Sequence, residues 1–387
     1  MKIAYVYHDD AADPSVQSGQ PEAVLTELIR LGHEVERIFP LNVPFAGTEF
    51  AKKVGYRILG QHHRPDRNLV YLDALAAQFA ARTKGRSFDL VVSPGSEVIS
   101  QLQTDIPIAY CADATFANLV DYYWDFTDLS AEYRRQGLDQ ESAALAKATL
   151  AVFPSEWAAR AAVEQHGADP ARVAVIPFGA NLGRDNRRAE VLDWIDRRPG
   201  NVIRLLFVGR HWERKGGDTV IATALCLRAH GHPVTVDIVG CDVPAEYHGI
   251  PGLRRHGLLH QCNPAQMLEL RRLYREAHFL FVPSRAEAYG FTFTEACAFG
   301  VPPVASATGG IPSIIRRGHN GILLPLEARP SDYADAIVDI FADPDRYRDT
   351  CVRAFTDFEQ RLNWSAFTRK FLELAGERIA ARTRPAA

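Results

Sequence analysis

Two acids, Glu287 and Glu295, flank a turn within the stretch Phe281 to Pro312, FVPSRAEAYGFTFTEACAFGVPPVASATGGIP. Gly290 separates them, so one lies in a loop and the other in a helix, and they reach a ligand from different elements. Backbone N–H groups from Gly290 through Phe291 to Thr292 open that helix, where the helix dipole favours an anion. A second stretch, Gly209-Arg210-His211-Trp212-Glu213-Arg214-Lys215-Gly216-Gly217-Asp218, places cations and glycines at a strand-to-helix turn. Glycines admit a close backbone approach, and Arg210 and Lys215 neutralise charge, which is the chemistry of a diphosphate grip. Simpler readings exist for each acid. Glu295, three residues after Thr292, fits a capping box, and Glu287 fits a solvated loop acid.

The elements needed to hold these residues are legible in the pattern of apolar runs. Phe279 to Val282 is a buried strand, broken at Pro283; the helix after Gly290 stops at Gly300, and Val304 to Ser306 is the next strand. Val202 to Val208 is a strand followed by a helix to about His230, and Val234 to Val239 is another strand. Ala265 to Ala277 is a helix with Met267, Leu268, Leu270 and Leu273 facing inward. In the first half, Lys2 to Tyr7 is a strand, His8 to Gly19 a polar loop, and Pro21 opens a helix to about Leu31. Leu90 to Val92 and Ile108 to Cys111 are buried strands ending in Ser93-Pro94-Gly95-Ser96-Glu97 and Ala112-Asp113-Ala114-Thr115. A helix starting near Leu69 packs Leu69, Leu72, Ala76 and Phe79. Alternating strands and helices define an α/β chain with parallel sheets, whose strand-end loops line the ligand crevice. The first loop lacks GxGxxG, so a dinucleotide-binding first domain is unsupported.

The E-x7-E spacing, with PSR before it and EAxAxG after it, resembles the nucleotide-sugar site of the retaining glycosyltransferases of family GT4. That resemblance implies the GT-B fold: two Rossmann-like domains facing across a cleft, with a C-terminal helix crossing back to the first. It places the acceptor-side domain at 1–181, the nucleotide-sugar donor domain at 182–362, and the returning helix and polar tail at 363–387. It assigns the nucleotide ribose to Glu295, the donor sugar to Glu287 and the diphosphate to Arg210 and Lys215. The segment Arg254 to Leu259, with His256, Gly257 and Leu258, would border the nucleobase. Ser18-Gly19 resembles the turn where the family receives acceptor or donor phosphate, although Gly19 also suits a plain turn before a helix. Where the family often has His-Asp, this chain has Ala112-Asp113; Asp113 either substitutes for the histidine or caps the following turn. Ser313 replaces the acid of GG-x-P-E. Pro177 to Asn181 resembles the PNGVD-type turn that leaves the first domain, so the linker is placed at the start of 182–201.

The activity implied is retaining transfer of a sugar from a nucleoside diphosphate sugar to an acceptor hydroxyl, on a glycan, a lipid-linked molecule or a small natural product. No cofactor and no metal are implied. Two alternatives are a nucleotide-sugar epimerase or hydrolase of the same fold, and a non-catalytic sugar-nucleotide or glycan-binding protein.

Composition agrees with two domains: 387 residues exceed what one core accommodates. A net charge of -3 gives no reason to expect nucleic acid as a partner. The N-terminus runs straight into a strand, and no apolar run approaches the ~20 residues that span a bilayer, which points to the cytoplasm. Residues 51–67 hold the marked basic cluster, Lys52, Lys53, Arg57, Arg64 and Arg67, interleaved with Val54, Tyr56, Ile58 and Leu59 after Phe50. It reads as solvated charge, or as an acceptor-side patch or peripheral contact at the inner membrane face. The aromatic segment 118–133 suits an acceptor pocket or core packing. Cys111, Cys226, Cys241, Cys262, Cys297 and Cys351 are scattered without zinc-ligand spacing. Asp343-Pro344-Asp345 reads as a helix break with capping acids.

Overall fold

The computed structural model describes residues 1–41, 43–44, 47–260 and 263–383; Cys262 and the end of the polar tail, residues 384–387, lie outside them. The chain divides into two compact units, Met1–Pro177 with Phe367–Ala387, and Phe178–Ala366.

The first unit runs β1 (Lys2–Val6), α1 (Gln20–Arg30), β2 (Glu34–Ile38), α2 (Gly47–Ile58), α3 (Leu69–Thr83), β3 (Leu90–Ser93), β4 (Ile108–Cys111), α4 (Phe116–Leu119), α5 (Ala131–Lys147), β5 (Leu150–Phe153), α6 (Glu156–Glu164) and β6 (Val173–Val175). Its strands form one parallel sheet in the order β2-β1-β3-β4-β5-β6. Strands β3, β4 and β5 are buried throughout, which is why they read as unbroken apolar runs instead of alternating ones. The helices start where a side chain can take up free N–H groups: Asn68, Ser130 and Ser155 cap α3, α5 and α6. The core joins Val6, Leu72, Leu75, Phe79, Val91, Tyr110 and Phe153. Leu69, expected in that core, is exposed, because it opens α3 ahead of the buried stripe. Within 118–133, Leu129 and Tyr133 bury against Phe116 with Phe126 beside them, whereas Trp124 stays exposed.

The second unit runs α7 (Arg188–Asp196), β7 (Ile203–Val208), α8 (Gly217–Ala229), β8 (Val234–Val239), β9 (Leu253–Gly257), α9 (Pro264–Glu276), β10 (Phe279–Phe281), α10 (Phe291–Ala298), β11 (Pro303–Ser306), β12 (Ile322–Leu324), α11 (Pro330–Phe341) and α12 (Pro344–Gln360). A last helix, α13 (Trp364–Thr383), starts in the second unit and continues as the C-terminal part of the first. The sheet is parallel in the order β12-β11-β10-β7-β8-β9. Counted from β7, this is the 3-2-1-4-5-6 order of doubly wound folds, so the order reverses between β7 and β10. In the first sheet the reversal falls between β1 and β3.

Three sequence expectations are corrected here. The linker segment contains helix α7, and the units part at Pro177, because Phe178 already packs on Tyr289, Phe291 and Trp364 of the second unit. Leu268 is exposed; α9 buries Leu270, Leu273 and Tyr274. The third concerns α10, whose N-cap is Gly290, not Thr292. Asp343 caps α12 through the N–H groups of Asp345 and Arg346, 3.1 Å each.

Candidate functional site

The loops after β7 and β10 meet at the reversal point of the second sheet. Lys215, in the turn before α8, and Glu287, in the loop after β10, are both buried and joined through the ammonium and the Oε2 carboxylate oxygen. Ser284 Oγ donates to the same oxygen at 3.2 Å, and Arg214 Nη1 lies 3.8 Å from it. Arg214 also donates to the Ala286 carbonyl at 2.8 Å, and the Arg285 N–H donates to the Arg214 carbonyl at 2.7 Å. The two loops are thus stitched by backbone as well as charge. Gly216, with φ +74°, caps α8; a Cβ there would lie 2.3 Å from the Pro283 carbonyl, so only glycine lets the turns approach this closely.

Beside this pair, α10 begins at Gly290, whose φ of +101° turns the chain sharply out of the loop. The N-terminal N–H groups at Phe291 and Thr292 therefore open from the same turn that carries Glu287. The Thr292 hydroxyl has no hydrogen-bond partner, in contrast to the expected capping box. Glu295 sits a turn further on, too deep in the helix to cap it. Its buried carboxylate accepts from the Tyr274 hydroxyl at 3.1 Å, and burial pushes its pKa up to about 7 against the opposing pull of Tyr274, the Leu182 backbone and Arg184. The Phe291 ring packs against those of Phe178 and Trp364, which also stack on each other.

Arg210 is exposed and forms no ion pair among the described residues. His256, at the end of β9, directs Nε2 to Asp237 Oδ1 at 2.7 Å, so its imidazole is already engaged. Burial would raise the Asp237 carboxyl, but hydrogen bonds from His256 and Arg254 outweigh it and hold it below the usual range. The Gly257 carbonyl accepts from Gly240, and Leu258 is exposed. The structure brings Lys215, Glu287, Gly290, Phe291 and Thr292 into one loop cluster, with Glu295 on the helix behind them. Arg210 stands at the end of β7, and His256, Gly257 and Leu258 at the outer strand β9 of the same carboxyl edge.

Gly19 and Asp113 belong to the first unit. Gly19 is the buried N-cap of α1, with φ +83°, following Gln17 and Ser18, which are left-handed as well. Asp113 lies in the loop after β4. It does not cap α4: Thr115 does, in a capping box with Asn118. Sequence reasoning gave no role to the side chains around these two. Gln20 is buried and donates to the Cys111 carbonyl at 3.2 Å, tying the α1 turn to the end of β4. Arg67, read as solvated, is largely buried: it bonds Glu97 Oε1 at 2.9 Å and Gln140 Oε1, and lies 5.6 Å from the Phe116 ring centroid. Lys52 is also paired, with Glu49 and Glu132. Burial would raise the Glu97 carboxyl, yet Arg67, with His8 and Arg64, holds it at about 2. The position of Glu97 in a strand-end loop was the one available signal.

Among the described residues no group of three or more His, Cys, Asp or Glu side chains could hold a metal ion, no helix is long and apolar enough to cross a membrane, and five cysteines are free.

The model for Glycosyltransferase Family 4 matches residues 22–184 and that for glycosyl transferases group 1 matches residues 203–343. The chain is similar to the D-inositol 3-phosphate glycosyltransferase of Thermomonospora curvata, 31% identical over 235 residues, 56% of this chain and 54% of the relative. The protein of that name from Geodermatophilus obscurus is 33% identical over 222 residues, 52% of this chain and 47% of the relative. The chain thus spans about half the length of these curated relatives. Among solved structures, sucrose-phosphate synthase from Thermosynechococcus elongatus matches with a TM-score of 0.69 at 20% identity, covering 98% of this chain and 99% of that one. Anabaena HepE, solved with UDP and glucose, matches with a TM-score of 0.62 at 16% identity, covering 97% and 99%. Two parallel six-stranded sheets of this kind define the GT-B fold. Two glycosyltransferase models thus match most of the chain between them, one on each half, in agreement with the GT4 resemblance of its motifs.

Proposed function

We propose that this protein transfers a glycosyl group from a nucleoside diphosphate sugar to an acceptor hydroxyl, with retention at the anomeric carbon. The observation that carries the reading is the Lys215–Glu287 pair beside the N-terminus of α10, at the point where the second sheet reverses. An ammonium has three donors, so Lys215 can hold a phosphate oxygen while remaining bonded to Glu287. With Arg210 and the N–H groups at Gly290 to Thr292 it would stabilise charge developing on the diphosphate leaving group, ~3 kcal/mol per well-placed donor. Glu287, oriented by Ser284 and Lys215, would accept from donor-sugar hydroxyls, and Glu295 from the ribose hydroxyls. The loop ending at Gly257 and Leu258 would border the base, and Gly19 and Asp113 would serve from the first unit. Metal is not required in this scheme, because protein cations neutralise the leaving group. HepE has been solved with UDP, so UDP is the first nucleotide to test.

The test is release of free nucleoside diphosphate from a panel of nucleotide sugars, with and without acceptors, in the presence of a chelator. A transferase needs acceptor, an epimerase gives no net release, a hydrolase releases without acceptor, and a binder only binds. Acceptor-independent release, or none while nucleotide binds, would overturn the reading.

A peripheral membrane contact through α2 is part of the proposal. Phe50, Val54 and Ile58 recur every four residues and form one stripe, with Phe50 69% and Ile58 80% exposed and Leu59 following at 72%. Lys53 and Arg57 flank the stripe and are exposed, which suits an anionic lipid surface at the cytoplasmic face.

A further inference from the structure

Lys215 and Glu287 come from different loops, so their spacing depends on how those loops are held together. Two arginines cross between the loops in opposite directions. Arg214, after β7, donates to the Ala286 carbonyl at 2.8 Å, and Arg285, after β10, donates through Nη1 to the Glu213 carbonyl. Each guanidinium thus closes on backbone of the opposite loop, one residue before Glu287 and two before Lys215.

Arg285 has a second hold. Its Nη2 donates to Asp218 Oδ2 at 2.7 Å, and Asp218 lies in the first turn of α8. One planar guanidinium therefore grips the turn that carries Lys215 on both sides, at Glu213 before it and at Asp218 after it, which a point charge such as an ammonium does less well. Arg285 is 50% exposed and Asp218 42%, so water screens the pair and it adds little to folding stability. A displacement of about 1 Å at a reacting centre, by contrast, costs up to ~100-fold in rate. The same bonds weigh more on the site than on the fold.

We propose that Arg285 is a positioning residue: by holding Glu213 and Asp218 it sets the spacing of Lys215 from Glu287, without itself touching the donor. The inference rests on the transferase reading for the reaction it serves, but its effect is also readable in nucleotide affinity alone.

Titration calorimetry of the full chain with UDP, GDP and ADP finds the diphosphate that binds most tightly, and variants are compared in that titration and in the nucleotide-release assay. Arg285→Ala is expected to weaken binding at least threefold and lower turnover at least fivefold, with the melting temperature within a few degrees of the parent's. Asp218→Asn keeps the cation but releases it from α8, and is expected to lose in the same direction. The double variant should be no worse than the poorer single within twofold, because both act through one strap. Arg285→Lys, which can still reach Asp218, should recover at least half of the lost turnover. A guanidinium that reached phosphate directly would give the opposite pattern: Asp218→Asn would bind as tightly as the parent or more so. That pattern, or parent-like behaviour of Arg285→Ala, overturns the proposal. Acceptor-dependent release by the parent keeps the transferase reading whatever the variants do. A parent that binds nucleotide without such release loses that reading while the affinity ratios still decide the proposal, and a parent that binds none of the three loses both.

Discussion

Lys215 and Glu287 are 72 positions apart in the chain and share a buried hydrogen bond. In the proposed scheme the ammonium serves both the diphosphate and Glu287, beside Arg210 for the one and Arg214 for the other, so Lys215→Ala is expected to lower turnover at least tenfold in the nucleotide-release assay. Glu295 makes a separate prediction through pH. Its folded pKa of about 7 lies above its ordinary 4.5, so the folded state holds its proton longer than the unfolded chain does. Stability from this group is therefore complete below pH ~4.5 and lost as pH rises towards 7, by roughly 3 kcal/mol at most. Glu295→Gln should match the parent's melting temperature at pH 5 and exceed it at pH 8, while binding nucleotide more weakly. A variant no more stable than the parent at pH 8 would refute this. Both acids and the lysine were legible from types and spacing. The environment of each was not: a capping role for Glu295 was equally consistent with the sequence, and only the placement of Tyr274 and the Gly290 turn excludes it.

At the scale of elements, α10 owes its starting point to Gly290. A Cβ at that φ of +101° would also lie 2.5 Å from Phe293 Cδ2, so Gly290→Ala is expected to cost ~1–3 kcal/mol in denaturant unfolding. The same substitution should weaken nucleotide binding, because it re-aims the N–H groups that follow. Helix α2 makes the complementary case of an element whose apolar side is outward. Phe50→Asp with Ile58→Asp should abolish co-sedimentation with vesicles containing anionic phospholipid and leave the melting temperature within a few degrees, because neither side chain is buried. Equal binding of the double variant would end the membrane reading. Strands and most helices could be read from the chain because buried parallel strands are continuous apolar runs and helix caps are local. Helix α7 escaped notice because its arginines and acids resemble a linker; Val191 and Ile195 alone carry its buried face.

For the whole molecule, the division into units makes α13 the element on which the first unit depends from the far end of the chain. Phe367 and Phe371 are fully buried. Losing a phenylalanine at such a site costs ~3–5 kcal/mol, a large share of the ~5–15 kcal/mol that holds a domain folded. A chain ending at Ala366 is accordingly expected to show a low-temperature calorimetric transition for the first unit while the second still binds nucleotide. Unchanged melting of both units would contradict that assignment. By itself the sequence determined the α/β class, the parallel sheets, the resemblance to glycosyltransferases, and the residues of the loops after β7 and β10. Each of these depends on neighbours close in the chain: apolar period, turn glycines and a motif of fixed spacing. Tertiary structure alone decided which of those residues meet, and that Arg67 is an interior cation. The reason is sheet order: strands reverse at β1/β3 and β7/β10, and that reversal, not sequence proximity, brings distant loops together.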